Sequence, residues 1–181
     1  MYAFTEIKRL VGALDLPEHV REQSCVLFES AQGEGLLQGR SIEGFAAAAV
    51  YATCRTAAVA RTLPEITEAA KATRDELDVA YDALNRELGL PTGPIDPREY
   101  LARFASKLDL PPAVEQRART LAQRARERGH DTGRHPGGVA AACLYTAAQR
   151  EEFPLTQQAA ADVADVAPVT IRTTYYALEN E

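Results

Sequence analysis

An arginine three residues after an aliphatic side chain, both in the opening turns of a helix, can read DNA. In the major groove the guanidinium makes a bidentate contact to guanine and the aliphatic group meets a thymine methyl. Val169 and Arg172, in the run Pro168-Val169-Thr170-Ile171-Arg172-Thr173-Thr174-Tyr175, have this spacing and share a helix face. Ile171 and Tyr175, four apart, fall on the other face and are expected to point into a core. Arg40 and Arg134 each follow a glycine and precede a helix start. Free amides and the positive end of the helix dipole can hold a phosphate there beside the guanidinium, although an arginine in that place can equally be a surface cap. Thr170, in the same turn as Val169, is a further phosphate candidate.

No catalytic pattern accompanies these residues. The chain has no phosphate-binding G-x-x-x-x-G-K-[ST] loop, no G-x-G-x-x-G after a strand, no H-E-x-x-H and no nucleophile beside a base, so an enzyme is not expected. Gly33-Glu34-Gly35 reads as a helix terminator. His19, His130 and His135 stand singly near helix ends as surface histidines, and Cys25, Cys54 and Cys143 are scattered singly as buried free thiols. Neither a disulfide framework nor a zinc site can be built from them, and no metal or cofactor is expected.

A chain of 181 residues that is 46% hydrophobic and 25% charged fits a soluble globular protein. It has no apolar run near the roughly 20 residues that span a bilayer. Met1 is followed by Tyr2-Ala3-Phe4-Thr5-Glu6, which lacks the basic and apolar segments of a signal peptide. The expected location is the cytoplasm, with no membrane partner. A net charge of −6 argues against holding nucleic acid by bulk charge, so any nucleic-acid site must be local. Charge is unevenly spread: Arg98 to Arg134 holds nine Lys/Arg against five Asp/Glu, and Thr62 to Leu88 three against seven. Arg117, Arg119, Arg124, Arg126 and Arg128 make a candidate basic patch, yet helical spacing scatters them over several faces, as on a solvated helix.

The elements that must position these residues come in duplicate. A shift of 94 residues lays Leu14–Leu84 on Leu108–Leu178 without a gap, with roughly 20 of 71 positions identical, including Gly39-Arg40 on Gly133-Arg134, Gly44 on Gly138, Tyr51 on Tyr145 and Tyr81 on Tyr175. The fold class is therefore all-α, a tandem duplication of a five-helix unit, over 1–92 and 93–181 with a Pro-rich linker at about 90–97. Apolar three- and four-residue steps place helices near 5–13, 17–34, 41–56, 62–70 and 73–88, then 96–108, 111–128, 136–150, 156–165 and 168–178. Thr62-x-x-Glu65 and Thr73-x-x-Glu76 read as capping boxes, and the Ala-rich third helix of each unit reads as central. The last two helices of each unit, joined by about three residues, have the spacing of a helix-turn-helix, a pair that also packs helical cores.

Gly39-Arg40-Ser41-Ile42-Glu43-Gly44, Ala49-Val50-Tyr51-Ala52-Thr53-Cys54-Arg55, Arg103-Phe104-Ala105-Ser106, Pro136-Gly137-Gly138-Val139-Ala140-Ala141-Ala142 and Val169-Thr170-Ile171-Arg172 resemble transcription factor B of archaea, of the general transcription factor IIB family. The resemblance covers nearly the whole chain. It implies two cyclin-like repeats that grip TATA-binding protein on bent promoter DNA, with RNA polymerase only an indirect partner. Carried over by position, it implies base reading by Val169 and Arg172, phosphate contacts by Arg40 and Arg134, and partner contacts by Lys71 and Arg74. The chain opens at the first repeat, so the expectation is a core without the family's N-terminal zinc ribbon, modulating or competing with full-length factors. Two departures stand out. Thr173, Thr174, Tyr175 and Tyr176 replace further polar or basic residues of the final helix, and Asp75, Asp78 and Asp82 stand where the first repeat is usually polar or basic. An interaction module that kept the scaffold and lost its DNA contacts is the alternative reading.

Overall fold

A computed structural model describes residues 1–91 and 95–180. They hold ten α-helices and one 3-10 turn, with no strand among them. The chain divides into two compact units, Met1–Pro94 and Ile95–Glu181. The boundary expected near residue 93 lies outside the described residues.

The first unit comprises α1 (Tyr2–Ala13), α2 (Glu18–Gly33), α3 (Ile42–Thr56), α4 (Leu63–Ala69) and α5 (Arg74–Leu88). The second begins with a 3-10 turn, Pro97–Tyr100, and continues with α6 (Leu101–Lys107), α7 (Pro112–Glu127), α8 (Pro136–Arg150), α9 (Gln157–Ala164) and α10 (Pro168–Glu179). The starts of α2 to α5 fall 94 residues before those of α7 to α10, so the duplication in sequence is a duplication of helix register. Left-handed backbone recurs at the same shift, at Asp15 and Asp109, Ala58 and Glu152, Gly35 and Gly129, and Gly39 and Gly133.

Each central helix is buried along most of its length, from Gly44 to Cys54 in α3 and in α8 from Gly137 to Ala148 apart from Tyr145. Alanine is what permits this. Each helix packs against every other helix of its unit, and only a small side chain leaves room for backbones on all sides. A glycine marks the closest approach. A Cβ on Gly44 would meet the Glu76 carbonyl oxygen at 2.7 Å, and one on Gly138 would meet Thr170 Cγ2 at 3.1 Å. Tyr51 packs edge-on against Tyr81 at 5.0 Å and Tyr145 against Tyr175 at 5.3 Å, so the tyrosines that repeat along the chain are partners within each unit.

Both expected capping boxes are formed, by Thr62 with Glu65 and by Thr73 with Glu76. Other local expectations need correction. The first helix begins at Tyr2, without a side-chain cap to announce it, and Pro17 is an N-cap, not a first helical residue. The helix expected over 96–108 is split, because Asp96 caps Arg98 and draws the Glu99 amide to its own carbonyl at 3.0 Å, which winds the first turn tightly. Cys54 and Cys143 are buried, Cys143 so fully that its thiol is pushed up to about 12, whereas Cys25 is half-buried.

Candidate nucleic-acid interface

In the second unit α9 and α10 are joined by residues 165–167, and Asp165 makes the turn at φ 54°. Ala167 offers no side-chain cap, but Pro168 at the first helical position needs no amide partner and sets the helix direction. Ile171 is fully buried, Thr174 is buried, and Tyr175 is half-buried against Tyr145. The opposite face is therefore outward: Val169 is 57% exposed and Arg172 is exposed beside it. This is the division between an exposed and a packed face that the spacing implied.

Arg134, Val169 and Thr170 meet across a groove of about 440 Å³, whose wall also includes Gly133, His135, Thr173 and Thr174. No carboxylate lines it. Arg134 is held there by donating from Nη1 to the hydroxyl of Thr174 at 3.0 Å, and Thr170 sets its methyl on Gly138. A guanidinium at the rim of an apolar floor, beside a helix start, is an arrangement that can accept a backbone phosphate.

His135 is a residue that sequence reasoning placed on the surface without a task. Its Nδ1 accepts the Gly138 amide at 3.1 Å and caps α8. Loss of hydration around the ring lowers its pKa, against the opposing pull of Asp165, so the neutral form that can accept is the favoured one. The signal was available: the 94-residue shift pairs His135 with Ser41, which caps α3 by accepting from the Gly44 amide at 3.0 Å.

The first unit places its candidates differently. Arg40 is exposed and donates to the Leu36 carbonyl at 2.7 Å, tied to its own loop. Arg74 pairs with Asp78 at 2.9 Å on the surface of α5, and Lys71 lies 3.9 Å from Glu6. Glu6 is a residue that sequence reasoning missed. Its side chain is 2% exposed and accepts from Arg9 Nε at 2.8 Å, Arg9 Nη2 at 2.6 Å and the Lys71 amide at 3.3 Å, while Arg9 also donates to the Ala69 carbonyl at 2.7 Å. The Arg9 hydrogen bonds above all hold the Glu6 carboxyl below the usual range. This network ties α1 to the α4–α5 turn and engages Lys71 from within the unit.

The α7 arginines do not form one patch. Arg119 pairs with Glu115 at 3.0 Å, Arg126 with Asp96 at 3.3 Å, and Arg117 with Glu151, so acids of the same unit neutralise much of that helix.

A family model described as "Transcription factor TFIIB repeat" matches residues 1–87 and again 91–181. "Transcription initiation factor IIB 1" of Halobacterium salinarum is 61% identical over 175 residues, covering 97% of this chain and 61% of its own length. "Transcription initiation factor IIB" of Methanococcus maripaludis is 47% identical over 174 residues, 96% of this chain and 51% of its own. The Methanocaldococcus jannaschii protein of the same name is 45% identical over 174 residues, 96% of this chain and 26% of its own. The chain spans between 26% and 61% of the length of these relatives.

Proposed function

The chain belongs to the transcription factor IIB repeat family, and from that premise we propose that it acts in transcription initiation by binding promoter DNA together with TATA-binding protein, without a catalytic step. The observation that carries the DNA half of this reading is the convergence of Arg134, Thr170 and Val169 on one carboxylate-free groove, with Arg172 exposed on the same helix. Val169 and Arg172 read bases, and Arg134 and Thr170 fix the register on the phosphates. The partnership with TATA-binding protein rests on the family resemblance, with Lys71 and Arg74 as its candidate contacts in the first repeat.

A gel shift with a promoter duplex and TATA-binding protein tests the reading. The wild-type chain should supershift the complex, and Arg172→Ala should weaken binding by about 1–3 kcal/mol. A wild type that gives no supershift ends the proposal.

The first repeat favours a second reading for its own helix pair. Asp75 and Asp82 are exposed and Asp78 partly so on α5, and carboxylates repel phosphate. That unit suits protein contact better than DNA contact. Capture of TATA-binding protein without DNA, by a chain with no salt-dependent DNA affinity, would make this second reading the function of the whole.

A further inference from the structure

Two large apolar side chains of the described second unit stand out in solvent, Val169 at 57% and Tyr176 at 55% exposure, and both lie on one face of α10. Seven residues separate them, two helical turns, and Thr173 lies between them on the same face. Thr173 is exposed, and its hydroxyl donates to the Val169 carbonyl at 2.8 Å, so its one hydrogen-bond donor is committed to the helix backbone. Tyr176 is not loose. Its ring packs at 5.6 Å on Tyr175, which is itself braced edge-on against Tyr145 of α8.

The result is a strip of Val169, Thr173 and Tyr176 flanked by Arg172. At about 1.5 Å per residue it is about 10 Å long, the length of about three base-pair steps. Charge speaks for duplex DNA as its occupant. In a chain of net charge −6 the one acid of this helix, Glu179, lies at its far end and is drawn to Arg150 at 3.1 Å. At the equivalent positions 94 residues earlier, Val169, Arg172 and Tyr176 are replaced by Asp75, Asp78 and Asp82. Exposed apolar groups on a groove-reading helix have a chemical counterpart in the major groove, the thymine C5-methyl.

We propose that Thr173 and Tyr176 extend the reading face, so that the chain recognises thymine methyls over about three base-pair steps beside the guanine taken by Arg172. The inference rests on α10 being the DNA reader, and the experiment separates the two. Duplexes are selected by the full chain with TATA-binding protein from a pool randomised on both sides of the site that TATA-binding protein occupies. Each selected thymine in that region is then replaced by deoxyuridine, which removes only the methyl. Loss of one buried methyl weakens binding about fourfold. The wild type should lose that factor at the contacted thymines. Thr173→Ser, which keeps the hydroxyl and removes the methyl, should lose it on the thymine duplex and show no further loss with deoxyuridine at one position. Tyr176→Ser should do the same at another. Wild-type affinity indifferent to every deoxyuridine, with Arg172→Ala still weakening binding, overturns the methyl strip and leaves the reading helix standing. Arg172→Ala without effect overturns both.

Discussion

The helix pairs α4–α5 and α9–α10 occupy the same place in two copies of one unit and present opposite faces. Position by position, Asp75 stands for Val169, Glu76 for Thr170, Asp78 for Arg172 and Asp82 for Tyr176. The loop arginines diverge in the same way. Arg134 reaches the hydroxyl of Thr174, but the residue matching Thr174 is Ala80, and Arg40 turns back to Leu36. The lesson is that duplication preserved what packs: the alanines of the central helices, the glycine at each crossing, the tyrosine pairs and the left-handed turns. What faces outward was free to change sign, so one scaffold carries a surface suited to phosphate and another that repels it.

The comparison can be broken at positions that serve only one unit. Glu6 gives the largest effect. Glu6→Ala removes a buried carboxylate and leaves Arg9 without its acid partner, and it should lower unfolding stability by about 2–3 kcal/mol, less than for a fully buried pair because Arg9 and Lys71 are partly exposed. Because the folded carboxyl is held low, this contribution is present above the unfolded pKa of about 4.3 and is lost as pH falls through the folded value. Denaturant titrations across that pH range check both statements.

The crossing glycines come next. Gly44→Ala must displace the Glu76 backbone, and its overpacking outweighs the helix propensity gained, for a net loss of about 1–2 kcal/mol. Gly138→Ala has its one tight contact with a methyl of Thr170, at 3.1 Å, and meets His135 and Val166 at an ordinary 3.7 Å, so it should stay within about 1 kcal/mol of wild type. Equal losses at the two sites would mean the crossings are not distinguished as described.

The helix caps give the smallest effect and separate the units by pH. Ser41→Ala and His135→Ala should each cost about 1 kcal/mol at neutral pH. The histidine cap needs an unprotonated Nδ1, and its folded pKa is lowered, so its contribution is full above about 6.5 and is lost as pH falls through the folded value. Thermal melts of the two variants against wild type should converge with falling pH for His135→Ala and stay parallel for Ser41→Ala.

Much of this was readable in the chain because the informative residues act locally. Thr62 and Thr73, Pro136 and Pro168 set helix starts within a turn of themselves, and the three-residue spacing of Val169 and Arg172 fixes their common face. The start of α1 was not readable, since Met1 offers no cap, and neither was the 3-10 turn after Asp96. The contacts that define each surface depend on tertiary approach and leave no periodic trace: Arg134 to Thr174 across 40 residues, Glu6 to Lys71 across 65. Lys71 is engaged in that way by Glu6, whereas the pairing of Arg74 with Asp78, four residues on along α5, is a local contact that the spacing itself offered.

The central claim is that sequence-specific DNA contact belongs to the second repeat alone. It is tested by titrating a promoter duplex bearing TATA-binding protein with two charge-swapped chains. Arg172→Asp gives α10 the charge that α5 carries at Asp78, and Asp78→Arg does the reverse. Arg172→Asp should cost about 1–3 kcal/mol or more and erase the preference for the selected flanking sequence. Asp78→Arg should leave that preference unchanged, adding at most a salt-sensitive gain in affinity. Preference retained by Arg172→Asp, or altered by Asp78→Arg, would contradict the account.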